Sequence, residues 1–95
     1  MKHIVVIAPG LSREKENLVT NFIKSAGYEW WHWGSESWLV VAPDSADVAD
    51  LKNRIRDLLS QGQVLVLRVE IPQGGGRWAS FGPKTWGEWL RANWK

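Results

Sequence analysis

The spacing of apolar and polar positions along the chain predicts four strands and three helices. The run from His3 to Ala8 is dominated by β-branched residues, which is typical of a strand buried on both faces. Later segments alternate with a period of two, as strands do, or carry apolar residues at helical spacing. The predicted strands cover residues 3–8, 28–34, 38–42 and 63–70. The predicted helices cover residues 13–26, a segment that Asp44 or Ser45 caps, and a segment that begins at Pro83.

The order of these elements predicts the fold. A β-α-β-β-α-β order is typical of the ferredoxin-like α+β sandwich, in which two helices pack on one face of a four-stranded antiparallel sheet. Right-handed crossovers place strands one and three in the centre, which gives the sheet order 4-1-3-2. We therefore predict a ferredoxin-like domain over residues 1–71. Residues 72–95 are predicted to form a glycine-rich hinge and a docked, tryptophan-rich extension that ends in a short helix.

One face of the predicted sheet has no helix to cover it. Strand alternation assigns Val64 and Val66 to this uncovered face. Either the tail folds back over the face or a second subunit docks on it. We expect a homodimer, and the residues expected near its contact are Trp31, Trp33, Val64, Val66, Trp86 and Trp89.

Tryptophan is concentrated in two parts of the chain. Four of the eight tryptophans lie between Trp30 and Trp38. Another three, at Trp86, Trp89 and Trp94, share one face of the last predicted helix. An indole carries a large apolar area and an N–H group that needs a partner when it is buried, so these side chains either build the core or contact a ligand.

Composition limits the chemistry that this chain can carry. Its 95 residues include no cysteine, which excludes disulfide frameworks, thiol nucleophiles and iron–sulfur ligation. The apolar run at the start is too short for a signal peptide or a membrane span, so a cytoplasmic protein is expected. The net charge is +2, and residues 71–95 hold four cations against one acid. A basic tail of this size is weak evidence for nucleic-acid binding.

The segment from Trp30 to Trp38, Trp-Trp-His-Trp-Gly-Ser-Glu-Ser-Trp, resembles a hairpin found in small bacterial proteins labelled SinR-family or CRISPR-adaptation-like. The similarity extends to the aliphatic run of the fourth strand and to the Trp89-Leu90 pair. This resemblance implies a ferredoxin-like homodimer. In the wider group, an aspartate at the end of the first strand is associated with metal-dependent nucleic-acid cleavage, and Ala8 occupies that place here. The resemblance therefore implies the fold more strongly than the chemistry.

No catalytic, cofactor-binding or metal-binding residue is predicted. His32 lies among the tryptophans, and strand alternation points Glu29 away from it. We interpret His32 as a histidine that is hydrogen-bonded within an aromatic cluster. The glycines at 74–76 resemble a phosphate loop only superficially, because Pro83 stands where such a loop needs a backbone N–H group. We interpret these glycines as a hinge.

The expected function is a non-enzymatic, homodimeric protein-interaction module. This prediction accounts for the aromatic content, the nearly neutral body and the missing carboxylate at Ala8. The alternative is a nucleic-acid-binding protein, or a degenerate metal-dependent nuclease related to the CRISPR-adaptation proteins. Its contact residues would combine cations with a stacking ring, and they would be Arg68, Arg77, Trp78 and Lys84. No membrane partner is expected.

Overall fold

A computed structural model describes residues 1–60, 62–71 and 78–94, which form four strands and three helices. In chain order the elements are β1 (Lys2–Ile7), α1 (Arg13–Ser25), β2 (Glu29–Trp33), β3 (Ser37–Ala42), α2 (Val48–Leu59), β4 (Leu65–Val69) and α3 (Lys84–Asn93). The predicted glycine-rich hinge at 72–76 and the predicted nucleic-acid contact Arg77 lie outside the described residues.

The four strands form one antiparallel sheet in the order β2-β3-β1-β4. This is the predicted order 4-1-3-2 counted from the other edge, so the predicted ferredoxin-like α+β sandwich is confirmed. β1 and β3 lie in the centre, while β2 and β4 form the two edges.

Local signals explain where α1 begins and ends. The Ser12 Oγ accepts a hydrogen bond from the Lys15 backbone N–H at 3.3 Å, which caps the first turn. Gly27 follows the helix with φ +79°, a conformation that a side chain would strain. The predicted cap of α2 at Asp44 or Ser45 is wrong, because Asp47 occupies the N-cap position. The Ala46 N–H donates to the Pro43 carbonyl at 2.9 Å, and this turn delays the helix to Val48.

α1 and α2 cover one face of the sheet, which we call the helix face. Its core is built from alternate residues of β1 and β3 and from the apolar stripes of the two helices. Ile4, Trp38 and Ile55 are completely buried there. Because this core closes within the chain, the helix face is the main source of the fold's hydrophobic stabilisation.

α3 lies on the opposite face of the sheet, which we call the tail face. Leu90 and Trp94 pack there against Val41 and Leu39 of β3. Thus the chain's own tail covers part of the face that was predicted to need a cover. No helix in the described part of the chain is both long and apolar enough to cross a membrane.

The predicted orientation of β4 is wrong. The strand register pairs Val66 with Val6, which is buried against α1 and α2, so Val64 and Val66 lie on the helix face. Leu65 and Leu67 therefore lie on the tail face. Both alternate sets of β4 residues are apolar, so their periodicity alone did not indicate which set faces the helices.

Candidate functional site

The tail face carries a cluster of indoles, which we call the tryptophan cluster. It consists of Trp31, Trp33, Trp86, Trp89 and Trp94. Trp31 lies between Trp86 and Trp89, with ring centroids 6.2 Å and 6.1 Å apart. Trp33 contacts Trp86 at 4.6 Å, and Trp89 lies 6.3 Å from Trp94. The structure thus brings together the four tryptophans predicted near an interface, and three ring contacts link them within one chain.

Alternation in β2 explains why Trp31 and Trp33 meet α3. These residues are two positions apart and point to the same face of the sheet, as predicted. In α3, Trp86 and Trp89 are three positions apart and share one side of the helix. The tryptophan pair of β2 therefore packs against the tryptophan pair of α3. Their rings meet in offset and tilted geometries, which indoles prefer.

Polar contacts attach the tail to the sheet. The Trp78 indole N–H donates to the Trp94 carbonyl oxygen at 3.1 Å. The His3 Nε2 lies 3.0 Å from the Asn93 carbonyl oxygen, and the His3 ring meets Trp94 edge to face at 4.9 Å. By contrast, the Trp31 indole nitrogen is buried without a hydrogen-bond partner in the described residues. The tail is therefore held mainly by aromatic packing and by a few hydrogen bonds near its end.

An open cavity of about 400 Å³ lies between the tail and the sheet. Its walls are mostly apolar side chains of the central strands, the tryptophan cluster and the segment before α3. The lining residues are Val5, Ile7, Trp33, Ser37, Leu39, Val69, Trp78, Ala79, Ser80, Leu90 and Trp94. The volume falls within the range of about 300–1,000 Å³ that is usual for binding pockets. No sequence signal indicated this cavity, because it depends on where the tail crosses the sheet.

The tail face remains uncovered beside the cavity, along β4. Leu65 is 50% exposed and Leu67 is 43% exposed. The tail-face positions of β1 and β4 hold apolar residues, and His3 is the exception among them. This uncovered area is therefore an uncharged, apolar strip at the edge of the sheet.

A second polar grouping lies on the helix face around His32. Its ring stacks on Trp38 with centroids 4.5 Å apart and an interplanar angle of 6°. The Trp38 indole N–H donates to Thr20 Oγ1 at 2.9 Å, and the Thr20 hydroxyl donates to the Glu16 carbonyl oxygen at 3.1 Å. The His32 Nε2 lies 3.4 Å from Glu16 Oε1 but lacks hydrogen-bond alignment. These contacts attach α1 to the β2–β3 hairpin.

The aromatic surroundings predicted for His32 are confirmed, but the predicted hydrogen bonding is not, because Nε2 is buried without a hydrogen-bond partner in the described residues. The sequence suggested Glu29 as an acid near His32, whereas the structure places Glu16 of α1 beside it. The hydroxyl of Thr20 is engaged as both donor and acceptor, so it is not a free nucleophile. The geometry supports a structural role for this grouping.

The predicted nucleic-acid contacts do not form one surface. Arg68 pairs in register with Ile4, which is buried under the helices, so Arg68 lies on the helix face. Trp78 packs on the tail face, and its indole N–H is already used within the chain. Lys84 begins α3 and lies 3.8 Å from Glu88. Within the described residues, Arg68 and Trp78 are thus on opposite faces of the sheet.

The charged groups of the described residues form small, exposed pairs. No three histidine, aspartate or glutamate side chains among them come close enough to hold a metal ion. The pKa of Asp44 is lowered below 3.8 by a hydrogen bond from the N-terminal ammonium group and by its charge, with smaller effects from Lys2 and Arg68. This ion pair lies at the surface, away from the cavity.

Comparison with protein-family models, with curated proteins and with solved structures gives no match. The resemblance to the SinR-family and CRISPR-adaptation-like proteins therefore stays a prediction.

Proposed function

We propose that this protein is a non-enzymatic, homodimeric protein-interaction module. The observation that carries the proposal is the apolar strip of Leu65 and Leu67, which remains exposed beside an open apolar cavity. Contiguous exposed apolar surface with few charges is typical of protein interfaces.

The partial cover on the tail face supports this proposal. The tail packs against Val5 of β1 and Val69 of β4 as well as against β3, and it leaves Leu65 and Leu67 of β4 exposed. A second protein docking on this exposed part of β4 would bury Leu65 and Leu67. Each leucine would then gain hydrophobic stabilisation that the single chain does not provide.

A second copy of the chain is a suitable partner for this surface. In a two-fold dimer the same patch is used by both subunits, so a patch of one charge would repel itself. The strip carries no charge on its tail-face positions, and two copies can therefore approach without repulsion there.

Light scattering after gel filtration tests the proposal, with leucine variants matched for exposure. The wild type is expected to have a mass near twice 10.8 kDa. The double variant Leu65→Ser/Leu67→Ser is expected to shift toward the monomer, with a dimer dissociation constant raised at least about tenfold. The matched control is Leu18→Ser/Leu58→Ser, since these leucines of α1 and α2 are 40% and 38% exposed.

Two results would contradict the proposal. One is a wild-type mass that stays at 10.8 kDa up to high protein concentration. The other is a dimer that the control variant weakens as much as the tail-face variant does. Salt-sensitive quenching of tryptophan fluorescence by short DNA or RNA in a monomeric preparation would instead favour the nucleic-acid alternative.

A further inference from the structure

The outer edge of β4 is free in the described chain. β4 pairs with β1 on one side, and the sheet ends at β4 on the other. An edge strand presents unpaired N–H and C=O groups that can bind a further strand. The open edge also borders Leu65 and Leu67, so a strand added there would place its own tail-face side chains beside these leucines.

Two opposite charges lie at the end of β4, where two copies of the segment could pair them. Arg68 and Glu70 lie on either side of Val69, and their side chains approach to 3.4 Å. Both side chains are more than half exposed. Residues two positions apart on an extended chain point to the same face, so these opposite charges lie on the helix side of the edge.

Two-fold symmetry restricts how two such edges can pair. In an antiparallel pair, residues that stand directly opposite each other project to the same face of the sheet. An axis between two neighbouring residues would set side chains of opposite faces against each other, so the two-fold axis must pass through a residue. With the axis at Val69, Arg68 of each copy stands opposite Glu70 of the other. Both ion pairs are then formed across the contact, with side-chain Cβ atoms about 4.5–5.5 Å apart.

Neighbouring registers lose this complementarity. An axis at Arg68 places two arginines opposite each other, and an axis at Glu70 places two carboxylates opposite each other. An axis at Leu67 places Arg68 opposite Val66, so neither ion pair is formed. Like charges directly opposite on a sheet are destabilising.

The apolar face of the same register is also matched. Leu67 of one copy stands opposite Ile71 of the other, and Val69 stands opposite its own equivalent. Leu65 is the diagonal neighbour of that isoleucine. The register therefore places an apolar side chain directly opposite Leu67 while the charges pair on the other face.

We propose that two copies of the chain pair residues 67–71 in an antiparallel, two-fold arrangement centred on Val69, the last residue of β4, with Arg68 of each copy paired to Glu70 of the other. This inference rests on the proposed function, since it specifies how the homodimer forms.

Charge reversal tests the pairing through the dimer dissociation constant, measured by analytical ultracentrifugation. Arg68→Glu alone and Glu70→Arg alone are each expected to weaken the homodimer by at least about tenfold, because both cross-strand pairs become like-charged. An equimolar mixture of the two variants is expected to form a heterodimer nearly as tight as the wild type. The double variant Arg68→Glu/Glu70→Arg is expected to regain the wild-type homodimer.

A matched control separates this effect from the loss of an ion pair within one chain. Arg54→Glu on α2 also converts an exposed pair, with Asp50 at 3.1 Å, into two acids, and it is expected to leave the dimer unchanged. If single reversals at 68 and 70 do not weaken a wild-type dimer, or if their mixture forms no heterodimer, the pairing is wrong while the homodimer stands. A monomeric wild type overturns both proposals.

Disulfide trapping tests the register itself, since the natural chain has no cysteine. Val69→Cys places two thiols opposite each other, within the Cα separation of about 4.4–6.8 Å that a disulfide spans. Leu67→Cys is the control, because its two copies are then about 13 Å apart along the strands. A covalent dimer of the Val69→Cys chain is expected. Equal trapping of both variants, or trapping of neither in a dimeric preparation, overturns the register.

Discussion

The helix face and the tail face are built from alternate residues of the same four strands, but they are covered in different ways. On the helix face, two helices bury Ile4 and Ile55 completely. On the tail face, one helix and a cluster of indoles leave Leu65 and Leu67 of β4 exposed, and a cavity of about 400 Å³ remains. The side chains on the helix face of the sheet are therefore closely packed, whereas part of the tail face remains exposed.

The indole N–H groups differ between the faces in the same way. The Trp38 N–H on the helix face donates to Thr20, whereas the Trp31 N–H on the tail face is buried without a partner in the described residues. An unpaired buried donor lowers the net gain from packing. This comparison indicates that the helix face supplies most of the stability.

The largest expected effect is at the centre of the helix face. Ile55→Ala should lower the free energy of unfolding by about 2–5 kcal/mol, because it opens a cavity where the side chain is completely buried. Urea denaturation measures it. Leu58→Ala on the same helix is the control, since Leu58 is exposed and should cost far less. Equal costs for the two variants would contradict the assignment of the core.

A smaller effect is expected for the equivalent truncation on the tail face. Leu90→Ala should cost about 2 kcal/mol, because Leu90 already lines a cavity and loses fewer neighbours than a residue in a closed core. Arg91→Ala, at an exposed position of the same helix, is the control. Should Leu90→Ala destabilise the chain more than Ile55→Ala in urea, the proposed difference between the faces would be reversed.

A third, smaller effect is expected where α1 meets the β2–β3 hairpin. Thr20→Val keeps the side-chain shape but leaves the buried Trp38 N–H without its acceptor, which should cost about 1 kcal/mol. Thr85→Val, at an exposed position in α3, is the control. A thermal melt in which both variants match the wild type would show that this hydrogen bond adds nothing to the helix face.

The smallest effect is expected at Asp44, which belongs to neither face. Its pKa is lowered by the N-terminal ammonium group, so its contribution to stability is present above pH 3.8 and is lost as the pH falls through the lower folded pKa. The group is fully exposed, and salt should screen the contact. NMR titration should give a pKa below 3.8, and Asp44→Asn should leave stability at neutral pH nearly unchanged. A pKa at or above 3.8 would contradict this contact.

Sequence patterns predicted the sheet order and the docking of the tail, because strand alternation and helical spacing are local properties. The same patterns were insufficient for β4, where Val64, Val66, Leu65 and Leu67 are all apolar. Only the register with β1 shows which of them meet the helices.

The details of the site were beyond prediction for a related reason. The contact of Glu16 with His32 depends on how α1 crosses β2, and the cavity depends on where the segment before α3 lies. Neither packing arrangement is encoded in the spacing of residues along one element. A fully exposed Phe81 near the start of α3 has no structural explanation in the single chain.

Hydrogen exchange at low and at high protein concentration tests the central claim most directly, because it locates any contact between copies on one face. The account predicts that amides of residues 65–69 become more protected as concentration rises, while amides of residues 48–59 on α2 do not change. Protection that is independent of concentration in β4, or that appears instead on the outer surfaces of α1 and α2, would contradict a tail face completed by a second copy.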